Sequence, residues 1–217
     1  VLEWNGTGFR ELLKDPYVPR SSLMVSAEFR DLDGNGTMEI ILPSHYWALE
    51  DWGVDCDGGP DRNSEAIWMW DGEYYHYMWT EYAAPQYRFQ AAYDGDYYSS
   101  LGLFDRAEIQ YASAINNTTL KPGSSVDWRR DGKCYISEDE KPDTTEPQRI
   151  KAYARFRMVE LFAKINSLSK TKAQWQYLKD NFPLNTPGYI YTHLANIFWQ
   201  EFQKEEDFPA ACTLVRD

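Results

Sequence analysis

Cysteine and histidine are both scarce in this chain, at three residues each in 217. Cys56, Cys134 and Cys212 are widely spaced and form no Cys-x-x-Cys pair, which argues against a zinc ribbon or a thioredoxin-type site. Their odd number leaves at least one thiol unpaired or engaged between chains. In an oxidising setting the expected pair is Cys56 with Cys134, since both lie in the stretch read as β. His45, His76 and His193 sit in no catalytic motif. On a strand His76 would share a face with Tyr74 and Met78, whereas His193 falls among the apolar positions of the last helix, as a satisfied core histidine would. A Gly-x-Ser-x-Gly elbow, a phosphate-binding glycine loop and His-Glu-x-x-His are all missing. No catalytic residue is therefore nominated, and with 34 acidic residues any glycosidase pair of carboxylates would be arbitrary. No apolar run reaches the ~18 to 20 residues that a membrane-spanning helix needs, so membrane insertion is not expected. Basic residues are in deficit, 22 against 34 acidic, and the net charge of -12 disfavours nucleic acid and anionic membranes while favouring divalent cations.

What is present points to an α+β chain, with an antiparallel sheet of β-hairpins and C-terminal helices packed on it. The length suits a single domain, 1–217. Residues 1–137 read as mainly β with a short N-terminal helix over 6–14, ended before Asp15-Pro16. Ser22 to Phe29 and Glu39 to Leu42 are expected to form one hairpin. Ile67 to Trp70 and Glu73 to Trp79, around Asp71-Gly72, form a second, with a two-residue type I′ turn. Val126 to Arg130 and Lys133 to Ile136, around Asp131-Gly132, form a third. Residues 138–145 are charged and proline-broken, and read as a surface linker. Residues 146–217 are helical. Thr145 and Gln148 form a capping-box pattern ahead of a stripe of Ile150, Tyr153, Ala154, Met158, Leu161, Phe162, Ile165 and Leu168. A second helix is expected over Lys172 to Asp180. A third opens at Thr186-Pro187, with Ile190, Leu194, Ile197, Phe198 and Phe202 on one stripe.

The richest local pattern is Asp31-Leu32-Asp33-Gly34-Asn35-Gly36-Thr37-Met38-Glu39, set between apolar runs. Side-chain oxygens stand at its first, third, fifth and ninth positions, with glycines at the fourth and sixth, where the backbone must fold around a hard cation. An Asp/Asn/Gly-rich turn without metal is the alternative. Asp31-x-Asp33-x-Asn35-Gly36-x-x-Glu39-Ile40-Ile41 resembles the FG-GAP or VCBS-type calcium-binding hairpin of integrin propellers and secreted bacterial proteins. That resemblance implies a structural Ca²⁺ held by the side chains of Asp31, Asp33, Asn35 and Glu39 and by the carbonyl of Thr37. It covers about twenty residues; Glu39 stands where the family more often has Asp. A single copy excludes a propeller. An EF-hand would need a bidentate Glu at the twelfth position, where this chain has Leu42.

Aromatic residues make up 16% of the chain, more than one modest core demands, so some are expected at the surface. Trp68, Trp70, Tyr75, Tyr77 and Trp79 form an aromatic ladder read first as core, since aromatics are good sheet formers and helices must cover one face; the alternative is a binding platform, with Tyr93, Tyr97 and Tyr98 as additions. Glu50, Asp51, Asp55, Asp57 and Asp61 form a second acidic cluster of a spacing that matches no metal loop, and Trp47 and Trp52 lie in the same segment. Asn5, Asn116 and Asn117 are glycosylation sequons, and the Asn35 sequon reads as a by-product of the metal loop. Between Glu146 and Asp180, eight basic residues face three acidic ones, either a solvated helix face or a contact with an acidic face of another copy. The functional expectation is a secreted or cell-surface, calcium-stabilised structural or adhesive subunit that contacts other copies or a partner protein. The alternatives are a secreted carbohydrate-binding module and, behind it, a secreted hydrolase.

Overall fold

The computed structural model describes residues 2–14, 26–44, 62–122, 126–130, 133–136, 143–205 and 208–213. The fold is α+β, with antiparallel sheets and helices in separate runs of chain. Two compact units divide it, one of Val1–Ala84 with Trp128–Cys134 and one of Pro85–Asp127 with Tyr135–Asp217. The helical part thus begins at Pro85, well before the boundary expected at 146. Residues 45–61, which include His45, Trp47, Trp52, Cys56 and the second acidic cluster, lie outside the described residues, as do most of the linker and part of the strand expected from Ser22. The Cys56–Cys134 pairing lies outside them too, and Cys212 is buried.

In the first unit, β1 (Leu2–Trp4) and β2 (Phe9–Glu11) pair as an antiparallel hairpin where a helix was expected. Turn chemistry decides this. The Asn5 side-chain oxygen accepts from the backbone N–H groups of Thr7 and Gly8 at 3.0 and 2.9 Å, and Gly6 takes a positive φ of 95°, so the chain reverses before a helical turn can nucleate. The main sheet is β3 (Glu28–Arg30), β4 (Glu39–Ser44), β5 (Ser64–Trp70) and β6 (Tyr75–Tyr82) in that spatial order, all antiparallel. Both expected hairpins in this stretch are present. The β5–β6 turn is not type I′, however, because only Gly72 has positive φ. Asp71 instead accepts the N–H groups of Glu73 and Tyr74, each at 2.8 Å, in a wider loop. The third hairpin, β7 (Val126–Arg130) with β8 (Lys133–Ile136), has the expected strands.

In the second unit, α1 (Arg88–Ser100) and α2 (Phe104–Asn116) occupy a stretch expected to be β. Its cap signal was Gln90, whose side-chain oxygen accepts the N–H groups of Gln86 and Tyr87 at 3.0 and 3.1 Å. Gly95 lies inside α1, where a Cβ would stand 2.4 Å from the Tyr111 ring, so its glycine serves close helix packing and not a turn. α3 (Glu146–Lys164) runs through the middle of the helical core, followed by α4 (Leu168–Asn181), α5 (Tyr189–Glu205) and α6 (Phe208–Thr213).

One face of α3 carries the expected Ala154, Met158, Leu161 and Phe162 against α1 and α2. The opposite face buries Ala152, Phe156, Val159 and Ala163 against α4, α5 and α6. The stripe expected to rest on a sheet is thus covered by helices, and a second stripe accompanies it. Ile165 and Leu168 fall outside the stripe, 40% and 50% exposed, because the chain turns at Asn166 with φ 56°. In α5 the buried stripe is Thr192, Ala195, Phe198, Trp199 and Phe202; Ile190 is 53% exposed, and His193 is exposed against the Tyr189 ring, not in the core. The Thr145 capping box does not form. Asp143 accepts the Thr145 N–H and hydroxyl at 2.8 and 2.7 Å, and the hydroxyl oxygen accepts from Arg149 Nη1 at 2.6 Å, not from a backbone N–H of the first turn. Among the described residues no helix is long and apolar enough to cross a membrane.

Candidate functional site

The loop between β3 and β4 holds the acidic cluster. Phe29 pairs with Ile40 and Arg30 with Glu39 across the two strands, so the eight residues from Asp31 to Met38 must turn in a short span. Gly34 and Gly36 adopt φ of 76° and 86°, left-handed values that side-chain-bearing residues rarely take, which explains both glycines. Asp31 accepts the N–H groups of Gly34 and Gly36 at 2.8 and 3.0 Å, and Asn35 accepts that of Thr37 at 2.6 Å. Asp33 accepts the Asn35 N–H and side-chain amide at 3.0 and 2.8 Å, while Glu39, 1% exposed at the foot of the loop, accepts the Leu32 N–H at 2.6 Å.

These bonds fold the side chains inward. One carboxylate oxygen from each of Asp31, Asp33 and Glu39 lies within 4.8 Å of the other two. Oxygens on one calcium stand about 2.3–2.6 Å from it and so up to about 5.2 Å apart, and the three carboxylates could therefore share an ion. The donor set is all oxygen, three charged groups with the Asn35 amide hydrogen-bonded to one of them, which fits a hard cation and not a thiophilic one. Thr37 lies in the same loop, its N–H held by Asn35.

The aromatic ladder divides between core and half-buried positions. Trp68 is 1% exposed and belongs to a core with Ile40, Leu42 and Ala66, against which Leu13, Tyr75 and Tyr77 pack. Cross-strand partners share a face, so Trp68 with Tyr77 and Trp70 with Tyr75 line one side. A bulge between Ile67 and Trp68 shifts the register, and Trp79 pairs with Ile67 on the other side. Strict alternation along β6 misses that switch. Trp70, Tyr75, Tyr77 and Trp79 are half-buried. Tyr93 is 51% exposed on α1, whereas Tyr98 is buried and Tyr97 packs on the helical core. The sequons all lie at the surface: Asn5 and Asn117 use their side-chain oxygens in local turns, and Asn116 ends α2 exposed.

A polar cluster in the second unit escaped sequence reasoning. Asp96 accepts hydrogen bonds from the Tyr111 hydroxyl at 2.7 Å, from the Tyr153 hydroxyl, and from Arg157 Nε at 2.7 Å. Arg157 Nη1 also donates to Glu160 at 2.5 Å, and the Cys212 thiol lies 3.8 Å from the other Glu160 oxygen. Burial raises the pKa of Tyr111 and Tyr153, and the Asp96 charge raises both further, so both hydroxyls stay protonated donors. Burial opposes the Arg157 charge, but Glu160 and Asp96 outweigh it and hold the guanidinium protonated. A cavity of about 150 Å³ borders this cluster, lined among others by Ser99, Lys164 and Phe208. Arg157 is shared by both carboxylates, and the tyrosine hydroxyls complete the Asp96 shell, as suits a structural knot tying α1, α2, α3 and α6. Of the basic surplus on α3 and α4, Arg149 pairs with Asp143 and Lys170 with Glu108, so part of it is neutralised within the unit. The spacing of single polar residues across four helices carries no local motif from which this knot could be read.

No family model matches the chain, and neither a curated protein nor a solved structure matches it.

Proposed function

We propose that this chain is a calcium-stabilised structural or adhesive subunit working outside the cell, where it contacts other copies of itself or a partner protein. The observation that carries this reading is the convergence of Asp31, Asp33 and Glu39 in a loop whose glycines and Asx turns aim oxygens inward. Three like charges so close repel one another, and a divalent cation relieves that repulsion. Calcium at that position clamps β3 to β4, and binding at the weak end of the calcium range suits a setting where the ion is at about millimolar concentration. Phe29 beside the loop and Leu32 and Met38 within it, 55%, 44% and 50% exposed, offer an apolar rim for a protein contact. A carbohydrate-binding reading loses Trp68, which is in the core.

Sedimentation velocity with calcium and with a chelator tests the assembly half of the proposal. Calcium-dependent self-association, or capture of a partner protein that Phe29→Ser abolishes, supports it. A strictly monomeric chain that binds no partner in calcium refutes it.

A further inference from the structure

Tyr75 is the residue on which the metal loop and the N-terminal segment meet. Its hydroxyl donates to the carbonyl of Met38, the last loop residue before Glu39, at 3.0 Å. Its backbone N–H donates to the Leu12 carbonyl at 2.8 Å, and its carbonyl accepts the Lys14 N–H at 3.2 Å, so residues 12–14 lie along the start of β6 through this one residue. Leu13 and Tyr75 pack on the same core of Ile40, Leu42, Ala66 and Trp68. Trp70 lies against the Tyr75 ring, with centroids 4.9 Å apart.

We infer that Tyr75 is a positioning residue that couples cation binding in the Asp31–Glu39 loop to docking of the Leu12–Lys14 segment on β6, an inference that rests on the calcium reading of the loop. An ion held by Asp31, Asp33 and Glu39 fixes the loop exit, and the fixed Met38 carbonyl holds the Tyr75 ring. A ring held at that angle keeps the Tyr75 backbone in register with Leu12 and Lys14. Burial raises the Tyr75 hydroxyl pKa and the Glu39 charge raises it further, so the group is a protonated donor throughout the ordinary pH range. Linkage is reciprocal, so loosening the segment must weaken the ion by the same factor that loss of the ion loosens the segment.

The test uses the full chain as wild type, Tyr75→Phe and Leu13→Ala, with calcium chloride alone as the probe. Titration calorimetry gives affinity, and amide hydrogen exchange with and without calcium follows the Lys14 and Tyr75 N–H groups. The expected result is that calcium slows both amides in wild type. In Tyr75→Phe that slowing is lost and affinity falls about two- to ten-fold, the range for one hydrogen bond. Leu13→Ala, which leaves the loop and the hydroxyl intact, also weakens calcium. Calcium binding with heat in wild type but equal protection in Tyr75→Phe overturns the coupling and leaves the calcium site standing. Absence of any binding heat in wild type overturns the calcium reading and the coupling with it.

Discussion

Replacing Gly95 with alanine is a sharp perturbation of the helical unit. A Cβ built at this position stands 2.4, 2.5 and 2.9 Å from Cε1, Cδ1 and Cζ of Tyr111. Carbon atoms at rest sit about 3.5–4.0 Å apart, so the ring or the α1 backbone must retreat by about 1 Å. Tyr111 is fully buried among Ala91, Ala107 and Ala114, which leave no shorter side chain to yield. Overpacking of this kind costs about 1–3 kcal/mol. A displaced ring also strains the Tyr111 hydrogen bond to Asp96, and a bond to a charged group contributes about 1.5–3 kcal/mol. The better helix propensity of alanine returns about 1 kcal/mol. The net expectation is a destabilisation of about 2–4 kcal/mol, measured by urea denaturation followed by far-UV circular dichroism. Gly8→Ala is the control, because nothing lies within 4 Å of its Cβ and its φ is not positive, and it should change stability by less than about 0.5 kcal/mol. A Gly95→Ala chain as stable as wild type would refute the close α1–α2 contact.

Gln90→Ala removes the acceptor for the Gln86 and Tyr87 N–H groups and should cost about 1 kcal/mol in the same assay, whereas Glu at this position should retain most of it. Asp143 and Asp71 are both held down to about 2, Asp143 by the Thr145 hydroxyl and Arg149, Asp71 by the N–H groups of Tyr74 and Glu73. A carboxyl lowered on folding stabilises the fold above its unfolded value of 3.8 and loses that contribution as pH falls through about 2. Carboxyl carbon chemical shifts in a pH titration should therefore place both midpoints near 2, and midpoints near 4 would refute the two local caps. Asp96→Asn keeps the shape but removes the charge that accepts from Tyr111, Tyr153 and Arg157, leaving a part-buried guanidinium with Glu160 as its remaining carboxylate partner; it should destabilise by about 2–4 kcal/mol.

Much of the fold was legible where turn chemistry and periodicity agreed. The β3–β4 and β5–β6 pairs, the third hairpin and α3 to α5 all follow from apolar spacing around Asp, Asn and Gly turns. Reading failed where one rule overrode another. Asn5-Gly6 reverses the chain in a stretch whose later residues have helical spacing, so β1 and β2 replace a helix. Residues 88–116 hide two helices because Asp94-Gly95-Asp96 looks like a turn; the small residue is there for the Tyr111 ring. In α3 burial on two faces leaves no single stripe, and only half of the pattern stands out by periodicity. In the candidate site, the three carboxylates and both glycines were visible in one short stretch of sequence, since a tight acidic turn is a local device. Tyr75 and the bulge that turns Trp79 away were not, because both depend on cross-strand register.

Titration calorimetry of the wild-type chain with calcium chloride, beside Glu39→Gln, decides whether the Asp31–Glu39 loop holds calcium. Glutamine keeps an oxygen to accept the Leu32 N–H while removing the charge, so folding of the loop and binding of the ion are separated. One ion should bind wild type, with Kd at or below about 10⁻³ M, and Glu39→Gln should weaken it about tenfold or more. No heat at millimolar calcium, or equal affinity in the two proteins, would contradict the assignment of Asp31, Asp33 and Glu39 as a calcium site.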